Sequence, residues 1–90
     1  MKQVKLNIQG RVQGVFFREY IKKAGRRLQL FGYVRNLPDG SVEVMAEGPE
    51  EDLKKLVGEC RKGPLLAHIK NIDIEYGEPK KEYDNFYVRP

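Results

Sequence analysis

The sequence has few of the side chains on which covalent or metal-dependent enzymes rely. Its 90 residues include one cysteine and one histidine. Cys60 cannot form an internal disulfide and falls on the apolar face of a predicted helix, where a thiol is usually an inert core group. His68 has no cysteine or serine neighbour, and no metal-ligand spacing occurs. We therefore expect neither covalent catalysis, nor a metal site, nor a cofactor.

Long apolar runs are also missing. No stretch approaches the roughly 20 apolar residues of a membrane-spanning helix, and Met1–Val4 leads into alternating residues without the features of a signal peptide. Hydrophobic residues make up 40% of the chain and charged residues 33%. Such a chain can bury one two-layer core. We expect a single domain over residues 1–90 that is cytoplasmic and monomeric, with no membrane partner.

The charge balance is modestly basic. Seventeen basic and 13 acidic residues give a net charge of +4, and the basic residues are concentrated in the first half of the chain. This charge is compatible with an anionic partner, although it more often reflects a solvated helix face than a nucleic-acid interface. Charge alone therefore assigns no function.

Hydrophobic periodicity predicts the first half of the fold. Val4, Leu6 and Ile8 alternate with polar residues, as in a half-buried strand. Helical spacing then runs from Phe17 to Phe31 and predicts a helix that ends at Gly32. Two short strands follow and form a hairpin around a four-residue turn. The strands comprise residues 33–36 and 41–47, and the turn comprises residues 37–40.

The second half repeats a helix and a strand. Gly48–Asp52 is typical of a helix start, with a proline near the first turn and three carboxylates at the positive end of the helix dipole. Apolar residues then recur at helical spacing until Gly63 and Pro64 end the run. Alternation over residues 71–76 predicts another strand, and residues 86–88 a last short one.

This order of elements predicts an α+β fold, the ferredoxin-like split βαββαβ sandwich. We expect an antiparallel sheet with two helices on one face and a short C-terminal edge strand. The first two strands should run parallel, joined by a right-handed crossover, so that their C-terminal ends meet at one edge of the sheet. The loop at residues 10–18 and the hairpin that begins at Asn36 should then lie together.

The segment Gly10–Arg18 has the composition of a phosphate-binding loop. Glycines allow successive backbone N–H groups to converge on one anion at a helix N-terminus. The planar guanidinium of Arg18 matches two phosphate oxygens. The segment does not match the loops that bind nucleoside triphosphates or dinucleotides. These groups and a nearby side-chain amide could hold a phosphate and orient one water molecule.

Positioning alone is sufficient only for a substrate with a good leaving group. An acyl phosphate expels a carboxylate, whose conjugate acid has a pKa of ~4. Because phosphoryl transfer passes through a loose transition state, alignment and charge stabilisation supply most of the catalysis. The lack of an evident general acid, base or metal site is consistent with this reaction.

At these residues the chain closely resembles the acylphosphatase family. Gly10–Arg18 is similar to the family's G-x-V-Q-G-V-x-[FY]-R motif, and Gly32–Val42 is similar to its second motif, G-x-V-x-N-x-x-x-G-x-V. The resemblance continues through Glu47–Pro49 and Gly63–Pro64 to the terminal Asn85–Phe86. It implies the ferredoxin-like fold and metal-independent hydrolysis of small-molecule acyl phosphates to carboxylate and inorganic phosphate.

The resemblance also implies roles for individual residues. Arg18 matches the phosphate-binding arginine, and Asn36 matches the asparagine that orients the attacking water. The backbone cradle for the phosphate corresponds to five residues: Arg11, Val12, Gln13, Gly14 and Val15. The side chain of Arg11 adds attraction for the substrate without being catalytic. Pro90 departs from the aromatic or apolar residue with which several members end.

Two other interpretations remain open from the sequence. The first is a non-catalytic phosphate- or RNA-binding module, since RNA-recognition domains share this fold plan. Most aromatic residues fall at core spacing, however, and the third strand, Ser41–Glu47, lacks an RNA-binding aromatic run and carries two carboxylates, Glu43 and Glu47, expected to be exposed. Nucleic acid is therefore not the expected partner. The second is a detached relative of the acylphosphatase-like domain of larger carbamoyl-transfer proteins, which the chain length disfavours.

Overall fold

The computed structural model describes residues 1–90 and contains five strands and two helices. The strands are β1 (Lys2–Arg11), β2 (Phe31–Asn36), β3 (Val42–Gly48), β4 (His68–Gly77) and β5 (Phe86–Val88). The helices are α1 (Phe17–Arg27) and α2 (Glu50–Lys62). The predicted order of elements is confirmed. Neither helix is long and apolar enough to cross a membrane.

The strands form one sheet in the order β4-β1-β3-β2-β5. β3 is antiparallel to β1 on one side and to β2 on the other, so β1 and β2 run parallel to each other. β4 adds an antiparallel edge beside β1. β5 forms the other edge and pairs parallel to β2, from Gly32↔Phe86 to Val34↔Val88. The predicted antiparallel sheet therefore has one parallel pair, at its C-terminal edge.

The core lies between the sheet and the two helices. Alternate residues of β1 and β3 face the helices and are fully buried, as the period-two pattern predicts. Phe17 and Ile21 of α1 and Leu53 and Leu56 of α2 complete the layer. Cys60 belongs to the same cluster, and burial raises the pKa of its thiol to about 12. Cys60 is therefore a core residue, as its place on the apolar face of the helix predicts.

α1 ends earlier than its spacing predicts. The helix stops at Arg27, and Gln29 adopts a left-handed conformation with φ 58°. The N–H of Gln29 donates to the carbonyl of Arg26 and that of Leu30 to the carbonyl of Gly25, both bonds of a Schellman motif. The prediction that the helix continues to Gly32 was wrong, because Phe31 already belongs to β2, where its side chain is 37% exposed.

On the second face of the sheet, two carboxylates of β3 are buried, contrary to expectation. The carboxylate of Glu47 accepts backbone N–H bonds from Lys80 at 2.7 Å and from Lys81 at 3.1 Å, and is 1% exposed. Glu43 is 6% exposed and accepts bonds from the Tyr33 hydroxyl and Arg35. The prediction of two exposed carboxylates was wrong, because the segment between β4 and β5 bonds to Glu47 and side chains of β2 bond to Glu43.

Hydrogen bonds and burial shift the pKa values of Glu43 and Tyr33. Burial tends to raise the pKa of Glu43, but the bonds from Tyr33 and Arg35 outweigh it, and the pKa lies below the ordinary value. Burial and the bond to Glu43 raise the pKa of Tyr33 to about 12. Arg89 lies over the Tyr33 ring, 3.9 Å from its centroid. Glu43 and Tyr33 are thus buried and paired with each other rather than exposed to RNA.

Close packing between α1 and β5 predicts a specific sensitivity at Gly25. A Cβ atom there would lie 2.7 Å from Cγ of the buried Phe86 ring. Overpacking of a core typically costs about 1–3 kcal/mol, which outweighs the gain of up to about 1 kcal/mol in helix propensity. We expect Gly25→Ala to lower the free energy of unfolding, measured by urea denaturation.

Gly58 in α2 provides the matched control. It is exposed, and a Cβ atom there would have no neighbour within 4 Å. Gly58→Ala should therefore raise the free energy of unfolding by about 0.5–1 kcal/mol. Equal stability of the two variants would contradict the packing described for α1 and β5.

Candidate active site

The loop that joins β1 to α1, residues 12–16, presents unpaired backbone donors. Gly14 and Phe16 have positive φ angles of 73° and 63°. No N–H group of residues 12–16 donates to a protein acceptor, and the first backbone bond of α1 runs from the N–H of Tyr20 to the carbonyl of Phe16. Such donors at the positive end of a helix dipole are suited to bind an anion.

A bulge at the end of β1 starts this loop. The register of β1 against β4 shifts between Gln9 and Gly10. Gly10 has φ 133°, and a Cβ atom there would lie 2.1 Å from the carbonyl oxygen of His68. Only glycine fits this backbone approach. The bulge turns the chain out of the sheet into the loop.

Arg18 and Asn36 line the same cleft, as the topology predicts. The cleft has a volume of about 360 Å³, and small-molecule sites begin at about 300 Å³. Arg18 lies in the first turn of α1 and forms no hydrogen bond or ion pair with another residue, so its guanidinium is free to bind an anion. Asn36 is the last residue of β2, and its Oδ1 atom is buried without a hydrogen-bond partner.

The side chain of Gln13 connects the loop to the hairpin that carries Asn36. Its Nε2 atom donates to the carbonyl of Leu37 at 2.8 Å and to the carbonyl of Ser41 at 2.9 Å. These carbonyls lie at the two ends of the turn between β2 and β3. One amide group therefore fixes the distance between the loop and the hairpin.

The turn itself is held by local bonds. The carboxylate of Asp39 accepts the backbone N–H of Ser41 at 2.9 Å and its hydroxyl at 2.6 Å, and these bonds lower the pKa of Asp39. Asn7 of β1 donates to the same hydroxyl at 3.0 Å. Asp39 is thus a turn residue, as expected, and it stabilises the backbone that follows Asn36.

Only two of the five residues predicted to form the phosphate cradle line the cleft. Val12 and Gly14 line the cleft. Arg11 ends β1 opposite His68 and is exposed outside the cleft. Gln13 and Val15 also lie outside it, and the Gln13 side chain bonds to the hairpin. His68 is an exposed strand residue, as expected.

Sequence reasoning missed four residues that line the cleft. They are Phe16, Phe17, Glu19 and Val88. Val88 comes from β5, and the motif at Gly10–Arg18 does not indicate that this strand reaches the cleft. The position of Phe16 could have been inferred from the helix start at Phe17, because the residue before a helix has a non-helical backbone. Phe16 is not one of the aromatic residues at core spacing, and its side chain is 81% exposed.

Glu19 is the only acidic residue among those that line the cleft. Its carboxylate lies 2.8 Å from the Nζ atom of Lys22, and this bond lowers the pKa of Glu19. The partner Lys22 offsets its negative charge, whereas the charge of Arg18 has no such partner. No group of three or more His, Cys, Asp or Glu side chains in residues 1–90 is placed to hold a metal ion.

Comparisons with known proteins identify relatives of the whole chain. Residues 4–88 match the family model described as acylphosphatase. An acylphosphatase from Thiobacillus denitrificans is 45% identical over 89 residues, which cover 99% of this chain and 98% of that protein. The crystal structure of acylphosphatase from Bacillus subtilis has a TM-score of 0.96 and 31% identity, with each chain fully covered.

A segment of a larger protein is also similar. The crystal structure of HypF from T. kodakarensis matches all of this chain with a TM-score of 0.85 and 33% identity, but the match covers 12% of the HypF chain. The same fold therefore occurs both as a chain of this length and within a much longer one.

The two hydrogen bonds from Gln13 to the carbonyls of Leu37 and Ser41, here called the Gln13 bridge, generate a testable prediction. Gln13→Ala removes two hydrogen bonds and leaves two carbonyls without this donor, which typically costs about 1–3 kcal/mol in total. We expect the free energy of unfolding, measured by urea denaturation, to fall by that amount. Asn71→Ala is the control, because Asn71 is exposed and its amide forms only exposed hydrogen bonds, such as the one to Asp73, and a surface change costs about 0.5 kcal/mol or less. A Gln13→Ala protein as stable as Asn71→Ala would contradict the bridge.

Proposed function

The chain belongs to the acylphosphatase family of hydrolases, which act on acyl phosphates, and we propose that its catalysis depends on Arg18, Asn36 and the loop at residues 11–15. In this proposal the guanidinium of Arg18 and the backbone N–H groups of the loop hold the phosphate group of the substrate. Asn36 orients a water molecule against the phosphorus atom. The single observation that carries the proposal is that Arg18, whose guanidinium has no protein partner, and Asn36 line one small cleft beside a loop whose backbone N–H groups are unpaired.

The hydrogen-bonding capacity of each group suits its proposed role. A phosphate offers only acceptor oxygens, and both Arg18 and the backbone N–H groups are donors. Asn36 lines the cleft, and its side-chain amide has both donor and acceptor atoms. An amide that forms a hydrogen bond with a water molecule can hold it so that a lone pair of the water oxygen points toward the phosphorus. The chemistry of these groups therefore supports a bound phosphate and an oriented water in one cleft.

The reaction follows from these positions. The water oxygen forms a bond to phosphorus while the bond from phosphorus to the acyl oxygen breaks, and the carboxylate leaves with the bonding electrons. The water proton passes to a phosphate oxygen of the substrate, so that no protein side chain needs to act as a base. Fixed N–H dipoles and one guanidinium stabilise the charge that moves onto the equatorial oxygens. Because the leaving group is weakly basic, no general acid is needed.

The partner implied by this site is a small-molecule acyl phosphate, and no metal or other cofactor is part of the proposal. The non-catalytic phosphate- or RNA-binding module is disfavoured, because such a module has no use for a water-orienting amide. A cytoplasmic location and a monomeric state remain predictions from the sequence.

The role of Arg18 predicts a large and specific loss of activity. We expect Arg18→Ala to lower kcat/KM for benzoyl phosphate about 10³-fold, comparable to removing other phosphate-stabilising arginines, and to abolish competitive inhibition by inorganic phosphate. Assays should contain EDTA, in which the wild type should keep full activity. Arg27→Ala removes the same charge from the same helix, outside the cleft, and should change kcat/KM less than twofold. Equal losses in both variants would indicate general electrostatic attraction rather than a phosphate site.

The role of Asn36 predicts a different kinetic pattern. Loss of one preorganised contact in the transition state typically costs ~3 kcal/mol, or about a hundredfold in rate. We expect Asn36→Ala to lower kcat about a hundredfold while the inhibition constant of inorganic phosphate stays within about twofold. Asn71→Ala, which removes an exposed amide of β4, should leave both constants unchanged. Wild-type activity in Asn36→Ala would exclude the proposed role, and a wild type without turnover would favour the binding module.

A further inference from the structure

Phe16 has a conformation that neither the fold nor the local backbone explains. Its φ and ψ angles of 63° and 24° are left-handed, a region that aromatic residues rarely adopt and that glycine enters freely. Its side chain is 81% exposed, so burial does not compensate for the backbone strain. It precedes α1 in the N-cap position without forming a side-chain capping bond. Glycine would suit every local requirement at this position.

Phe16 is one of the residues that line the cleft together with Arg18 and Asn36. Single exposed apolar side chains are common on proteins and need no explanation, and Leu65 is an example, at 98% exposed and outside the cleft. Phe16 differs from Leu65 in its strained backbone and in its place beside the free guanidinium. Strained residues are concentrated at functional sites, where surrounding structure maintains them for a ligand.

The other apolar groups of the cleft restrict where an acyl group can lie. Val12 and Phe17 are 1% exposed and contribute little surface. Phe16 and the half-buried Val88 of β5 therefore provide most of the accessible apolar lining. A substrate whose phosphate is bound by Arg18 and the loop must extend its acyl group out of the cleft, past these two side chains.

We propose that Phe16, together with Val88, forms an acyl-binding subsite that favours aromatic and other extended apolar acyl phosphates over acetyl phosphate. The inference rests on the proposed function, since it takes the phosphate position from Arg18. An aromatic acyl group gains a stacking surface on the Phe16 ring, whereas an acetyl group is too short to cover it. The subsite thus sets the substrate class of the reaction rather than its chemistry.

The test compares two substrates in the same variants. We expect Phe16→Ala to lower kcat/KM for benzoyl phosphate about tenfold more than kcat/KM for acetyl phosphate, within the range found when one aromatic stacking partner is removed. Taking the ratio between substrates cancels their different intrinsic reactivities. Phe16→Tyr preserves the ring and should preserve the wild-type ratio. Leu65→Ala removes an exposed apolar side chain elsewhere and should change neither constant.

A second variant separates the ring from the backbone. Phe16→Gly removes the ring but relieves the strain, so it should fold even if the alanine variant is unstable, and it should lower the ratio to the same extent. An unchanged ratio in the folded variants, or an equal loss for both substrates, would overturn the acyl subsite. If the wild type hydrolyses neither substrate, the proposed function itself fails, and the inference with it.

Discussion

The candidate site depends on the position of β3 between β1 and β2. Because β3 is antiparallel to both neighbours, the loop after β1 and the turn after β2 lie at the same end of the sheet. Val42, the first residue of β3, pairs with Ile8 on one side and with Asn36 on the other. Adjacent strands lie about 4.8 Å apart, so this register fixes Asn36 at about two strand spacings from β1. A slip of one residue would turn the Asn36 side chain to the opposite face.

The distribution of satisfied and unsatisfied polar groups separates the scaffold from the site. Buried carboxylates on the second face of the sheet receive two bonds each, as at Glu43 and Glu47. At the cleft, by contrast, the loop amides, the Arg18 guanidinium and the Asn36 carbonyl lack protein partners. Unpaired groups are costly when they are sheltered from water, and they persist only where the surrounding structure is rigid. The Gln13 bridge holds the loop against the hairpin, and preorganisation of this kind is what the proposed roles of Arg18 and Asn36 require.

Periodicity and motif spacing predicted the elements and brought Arg18 and Asn36 together, because both depend on local pattern and chain order. The errors arose where distant contacts decide the outcome. The end of α1 at Arg27 results from the left-handed Gln29, which no apolar spacing reveals. Glu47 is buried beneath backbone groups of the segment between β4 and β5, and Glu43 is paired with Tyr33 and Arg35 of the neighbouring strand. Val88 reaches the cleft only through the pairing of β5 with β2, and tertiary pairing of this kind has no signature in a nine-residue motif.

The contacts of β5 also affect the order in which the fold forms. β5 follows every other element in the chain, yet it pairs with β2 and inserts Phe86 against Gly25 of α1. Contacts between residues so far apart in sequence form slowly, because the loop-closure entropy is lost before the contacts can compensate for it. During synthesis, α1 and β2 therefore emerge with an open flank, and the cleft is completed only when the last strand docks. The complete cleft is for this reason a late product of folding, formed only after β5 has paired with β2.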